Sequence, residues 1–93
     1  MVVGILTMTL SVPASNSLKD KRQVVRSILD QIRNKFNVSA AEIDRLDSRR
    51  AAGLAFACVS NDAKLVNRML ARILDQVESN PLCEVTDSSL ELV

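Results

Sequence analysis

Basic side chains crowd one segment of the sequence, residues 19–35. Six Lys and Arg there stand against two Asp, so the segment carries a formal charge of +4. On a helix, four of them would lie within about 60° of one another around the axis. This basic stripe consists of Lys19, Arg22, Arg26 and Arg33. A row of arginines suits phosphate oxygens, because each guanidinium can donate two parallel hydrogen bonds to them.

A second basic row follows later in the chain, with Lys64, Arg68 and Arg72 spaced four residues apart. If the two helices adjoin, both rows form one basic surface, which is the footprint of nucleic-acid binding. The competing interpretation is an ordinary solvated surface, and the pI near 7.8 is low for a dedicated nucleic-acid binder. Nothing in the sequence indicates specificity for DNA. The candidate contacts to RNA are Lys19, Lys21, Arg22, Arg26, Arg33, Arg68 and Arg72.

Lys21 falls on the apolar side of the same predicted helix. Its long side chain can reach water from the first turn of the helix, which is the simpler explanation. The alternative is an anion site, since the free N–H groups and dipole of a helix N-terminus attract phosphate or carboxylate. The candidate anion ligands are Ser15, Asn16, Ser17 and Lys21, although no Gly-rich loop accompanies them.

Residue types that carry catalysis are scarce. The chain has no His and only two cysteines, Cys58 and Cys83, so no metal site or nucleophile–base pair is evident. The two thiols are expected on separate strands, about 10 Å apart and too far for a disulfide. The sequence therefore predicts a binding protein without enzymatic activity and without a cofactor.

Hydrophobic periodicity predicts four strands and two helices. Alternation indicates strands at 2–12, 37–45, 51–60 and 82–92, the second of them kinked at Ala40 and Ala41. Helical spacing indicates helices at 18–36, capped by Ser17, and from about 63 to 78. The order βαββαβ predicts the α+β class and a single ferredoxin-like domain of residues 1–93. In this sandwich both helices lie on one face of a four-stranded antiparallel sheet, and strands one and three are central.

Such a sandwich leaves one sheet face uncovered. That face is partly apolar, with Val3 and Ile5 on the first strand, so a homodimer formed through the open face is expected. The alternative is a monomer whose second face is merely mixed. No membrane-spanning segment or export signal is evident, and few cysteines favour the cytoplasm.

Charge is distributed unevenly along the chain. Residues 1–72 hold all twelve bases against six acids, a formal +6, whereas residues 73–93 hold five acids and no base. This split can mark a basic face opposed to an acidic one, or it can be evened out when the chain folds back on itself. Where the acidic tail lies relative to the basic stripe therefore decides whether the stripe is free to bind.

Several linked motifs resemble the YlxP-like family of small bacterial proteins. They are Ser17–Arg22 with Val25, Phe36–Ser39, Ala41–Asp44, Val59–Asp62 and Val77–Pro81. The resemblance implies a ferredoxin-like fold, a cytoplasmic bacterial protein and no established biochemical activity. Family members often lie near genes for translation initiation and ribosome maturation, which implies a role around RNA or the ribosome.

Three hypotheses follow. The leading one is a non-enzymatic, dimeric module that binds RNA or a ribosome-associated partner through the basic helix face. The second is a regulatory module that binds a small anion at residues 15–21. The third is a scaffold that engages protein partners through the open sheet face.

Overall fold

The computed structural model describes residues 1–93 as six elements in the order βαββαβ. They are β1 (Val2–Ser11), α1 (Leu18–Lys35), β2 (Ser39–Asp44), β3 (Ala51–Ser60), α2 (Ala63–Glu78) and β4 (Glu84–Leu92). The strands form one antiparallel sheet in the order β2-β3-β1-β4. The predicted ferredoxin-like architecture, with strands one and three central, is confirmed.

Alternation along the central strands places the core between the sheet and the helices. The inward residues of β1 and β3 are almost fully buried, and they pack with the apolar stripes of α1 and α2. Phe56 on β3 has no exposed surface, so it belongs to the core and is not available to stack on nucleic-acid bases. Helix α1 lies over β2 and β3, whereas α2 contacts β1, β3 and β4.

Local hydrogen bonds fix the start of each helix. The Ser17 hydroxyl accepts the N–H of Asp20 at 3.0 Å, as the sequence predicts for the α1 cap. The Asp20 carboxylate accepts the N–H of Asn16 at 3.1 Å, which completes a reciprocal cap. At α2 the Asp62 carboxylate accepts two backbone N–H groups of the first turn. The position at which each helix begins is therefore determined by capping residues adjacent to it in sequence.

Strand β2 is irregular at a different place from the one predicted. Ala40 and Ala41 pair in regular register with β3, and the bulge falls between Glu42 and Asp44. The reason lies on the neighbouring strand, where Gly53 stands opposite Asp44. A Cβ atom on Gly53 would lie 2.7 Å from the Cβ of Asp44, so only glycine permits this close approach.

Replacing Gly53 by Ala is expected to displace the β2 bulge and lower the free energy of unfolding by about 1–3 kcal/mol. Urea denaturation of the Gly53→Ala variant measures this loss. Asp87→Ala, an exposed change on β4, is the matched control and is expected to stay near wild type. Equal stability of Gly53→Ala and wild type would show that the bulge does not need the glycine.

Candidate functional site

The basic stripe lies beside the edge strand β2. Arg22, Arg26 and Arg33 line one side of an open cleft of about 320 Å³, and Glu42 of β2 is on its wall. Val25 and Leu29 of α1 complete the lining. Lys19 is exposed one turn earlier on α1. Because the three arginines stand on one helix, their Cα atoms lie at fixed spacing along the cleft.

Two of the three arginines of this cleft are not paired with a carboxylate of the chain. Only two salt bridges form in the molecule, Lys21 with Glu42 at 2.6 Å and Arg33 with Asp30 at 3.5 Å. Glu42, the one carboxylate on the cleft wall, is thus balanced by Lys21. Arg22 and Arg26 are exposed and have no carboxylate within salt-bridge distance. The cleft is therefore cationic and open to an anionic ligand.

The acidic end of the chain lies at the opposite edge of the sheet. Strand β4, which carries Glu84, Asp87 and Glu91, is separated from β2 by β3 and β1. Three strand spacings amount to about 14 Å. The tail acids of β4 therefore leave the basic stripe free, and the molecule has a basic edge and an acidic edge.

The second basic row occupies a different place. Arg68 and Arg72 line a groove with Lys35 and Phe36, at the end of α1. Lys35 also lies over the Phe36 ring, with its Nζ 5.6 Å from the ring centroid. The two rows therefore line different clefts: the stripe of α1 lines the cleft beside β2, whereas Arg68 and Arg72 line the groove at the end of α1.

The assignment of Lys21 to a binding surface is wrong. Its side chain is fully buried, and its Nζ donates to Glu42 Oε2 at 2.6 Å and to the Arg45 carbonyl at 3.1 Å. A weaker contact reaches the carbonyl of Leu46 at 3.5 Å. Lys21 therefore links the β2–β3 hairpin to the first turn of α1 by an ion pair and hydrogen bonds, and its ammonium group does not extend into solvent.

The predicted anion site is likewise not formed. Ser15 is 3% exposed, and its hydroxyl donates to the Ser17 carbonyl at 2.9 Å. The N–H of Asn16 and the hydroxyl of Ser17 are taken by the helix cap, and the Asp20 carboxylate occupies the position that an anion would need. A phosphate would meet a negative charge there, so the small-anion hypothesis loses its site.

Both cysteines are buried free thiols. Burial raises the pKa of Cys58 and of Cys83 above the ordinary value for a thiol. Cys83 also donates weakly to the carbonyl of Val77, with its Sγ 3.6 Å from the oxygen. Since the thiolate is the reactive form, neither thiol is suited to nucleophilic chemistry at neutral pH.

The open sheet face carries exposed apolar side chains at one end. Val59 is 66% exposed and Val93 is 68% exposed, next to half-buried Val3 and Ile5. At the other end Thr7, Thr9 and neighbouring polar residues line a shallow depression of about 210 Å³. The homodimer through this face stays a prediction.

Fold and site together define a small α+β domain with a basic cleft beside one sheet edge. Residues 3–90 match the model of the family described as "Protein of unknown function (DUF503)", and the chain belongs to that family. It is 36% identical over 77 residues to "Uncharacterized protein YlxP" of Bacillus subtilis (strain 168), covering 83% of this chain and 84% of that protein. The resemblance to the YlxP-like family is confirmed.

A solved structure shares the architecture. The "De novo designed protein Foldit4" superposes with a TM-score of 0.53 at 15% identity, covering 100% of this chain and 94% of the designed one. At that identity the likeness concerns the fold alone. Neither α1 nor α2 is long and apolar enough to cross a membrane.

Proposed function

We propose that the protein binds RNA, free or within the ribosome, through the cleft between α1 and β2. The observation that carries the proposal is the pair Arg22 and Arg26, which are exposed, adjacent on one helix face and without a carboxylate partner. Arg33 extends the row along the same cleft. The expected ligand atoms are phosphate oxygens, because guanidinium binds them with two parallel hydrogen bonds.

The helix spaces these contacts along the RNA backbone. At 1.5 Å of rise per residue, Arg22 and Arg26 stand about 6 Å apart along the axis, and Arg33 follows about 10 Å further. Arg33 is held in place by the carbonyl of Ala40 and by Asp30. Contacts of this kind are made to the RNA backbone and not to the bases. The affinity is therefore expected to depend little on RNA sequence and strongly on salt concentration.

Nuclear magnetic resonance locates the interface. Titrating a ¹⁵N-labelled sample with a short RNA hairpin is expected to shift the amides of α1 around Arg22, Arg26 and Arg33 and those of β2. A DNA hairpin of the same sequence and purified small ribosomal subunits serve as comparison ligands. Shifts confined to β4 or to the open sheet face, or no shifts at millimolar RNA, would refute the proposal.

We further propose that the open sheet face joins two copies of the chain. The exposed side chains of Val59 and Val93 give such an interface its apolar centre. A two-fold axis parallel to the strands places β4 of one copy over β2 of the other, which separates the acidic residues of the two β4 strands. The α1 clefts stay exposed on the outer sides of this dimer.

Light scattering tests the dimer. The wild-type protein is expected to have twice the chain mass, and Val59→Glu is expected to shift it to the monomer, because burying an unpaired carboxylate at the interface is costly. Leu65→Glu, at an exposed apolar position on α2, is the matched control and is expected to leave the mass unchanged. A monomeric wild type at high concentration would contradict the dimer.

A further inference from the structure

We propose that the free edge of β4 binds an extended basic segment of a protein partner by strand addition. The register of the sheet defines the groups that this edge presents. Val3 and Val93 exchange two backbone hydrogen bonds of 2.8 Å, so they form a hydrogen-bonded antiparallel pair. Since such pairs alternate with non-bonded ones, the N–H and C=O groups of Ser88, Leu90 and Leu92 point away from β1.

The two edge strands of the sheet, β2 and β4, differ in how well they are protected against pairing with a further strand. Strand β2 has six residues and a bulge, and Arg33 donates to its Ala40 carbonyl. These are common devices against further strand pairing. Strand β4 has nine residues; its own bulge lies at Thr86, near its start, and from Asp87 to Leu92 it runs in unbroken register with β1. No Lys, Arg or Pro lies within β4, so its backbone is available for another strand.

The negative charge of β4 favours a basic partner strand. Strand β4 carries Glu84, Asp87 and Glu91 and no base. Pairing of β4 with the β4 of a second copy would bring these carboxylates together, which is unfavourable. A Lys- or Arg-rich strand would instead meet opposite charges across the pair. The observations therefore favour a basic extended peptide over a second copy.

Side-chain alternation adds a preference for apolar residues at every second position. Leu90 and Leu92 point to the helix side of the sheet and are 36% and 43% exposed. Asp87 and Glu91 point to the open side. A strand added at this edge would therefore place apolar side chains beside the leucines and basic ones beside the carboxylates. The ligand predicted by this pattern is an extended segment that alternates basic and apolar residues.

This site is independent of RNA binding, since β4 and the α1–β2 cleft lie at opposite edges. Fluorescence anisotropy with a labelled ten-residue Lys-Val repeat peptide tests it on the full chain. The Lys-Val peptide is expected to bind at least ten-fold more tightly than a Glu-Val repeat. An analogue N-methylated on the valines keeps the charge but loses the backbone donors that face β4 when the valines pair antiparallel with Leu90 and Leu92, and it is expected to bind at least ten-fold more weakly.

Variants of the protein separate strand addition from simple charge attraction. Asp87→Lys/Glu91→Lys is expected to abolish binding, whereas Asp75→Lys/Glu78→Lys on α2 changes the net charge equally and is expected to retain it. Undetectable binding of the Lys-Val peptide, equal binding of its N-methylated analogue, or equal loss in both variants would overturn the proposal. Wild-type dimers that persist in Val59→Glu but dissociate with Asp87→Lys/Glu91→Lys would show instead that a second copy occupies the edge.

Discussion

Replacing Glu42 by Ala is expected to lower the free energy of unfolding by about 3–5 kcal/mol. The change leaves the fully buried ammonium group of Lys21 with only backbone carbonyls of the hairpin as partners. An uncompensated buried charge is among the most costly defects in a folded protein. Since the total stability of a small domain is about 5–15 kcal/mol, the loss takes a large share of it.

Urea denaturation of Glu42→Ala and of a double variant without either charge tests this pair. Lys21→Met/Glu42→Leu removes both charges and is expected to recover most of the loss, because an apolar pair of similar size can replace a buried ion pair. Glu91→Ala, on the exposed face of β4, controls for the loss of a carboxylate and is expected to stay within about 0.5 kcal/mol of wild type. A Glu42→Ala variant as stable as Glu91→Ala would show that the buried pair does not hold the hairpin on α1.

Reversing both charges in Arg22→Glu/Arg26→Glu is expected to weaken RNA binding at least about 100-fold at low salt. Two bidentate, charge-assisted contacts to phosphate are lost, and each is replaced by repulsion. The fold is expected to survive, because both arginines are exposed and unpaired. Electrophoretic mobility shift of an RNA hairpin, with circular dichroism as a check on folding, measures the effect.

The matched control for this variant is Arg49→Glu/Lys64→Glu. It makes the same change in net charge at exposed positions outside the α1–β2 cleft, one on the hairpin loop and one on α2. It is expected to keep affinity within a few-fold of wild type. Equal losses in both variants would mean that RNA responds to the overall charge of the protein and not to this cleft.

Features encoded by neighbouring residues were predictable from the sequence. The alternation of β1 and β3, the capping residues Ser17 and Asp62 and the helical spacing of the basic stripe are local patterns, and the structure contains all of them. The central position of the first and third strands follows from the connectivity of the fold. Apart from the strand order, none of these features depends on contacts between distant residues.

Features that depend on distant pairing were mispredicted. Helical periodicity correctly placed Lys21 on the apolar side of α1, but its burial depends on Glu42, a residue of another element, and on the path of the hairpin. The bulge in β2 depends on Gly53 of the neighbouring strand. The separation of the two basic rows depends on how each helix is turned against the sheet. In each case the deciding partner is remote in sequence.

The salt dependence of RNA affinity tests the proposed cleft by counting the phosphate contacts it makes. In a plot of log K against log salt concentration, each phosphate contact contributes a slope of about −0.7 for single strands to −0.9 for duplexes. The neutral variant Arg22→Gln/Arg26→Gln is expected to reduce the wild-type slope by nearly two such contacts, whereas Arg49→Gln/Lys64→Gln leaves it unchanged. Equal slopes for wild type and Arg22→Gln/Arg26→Gln would show that RNA does not contact this cleft.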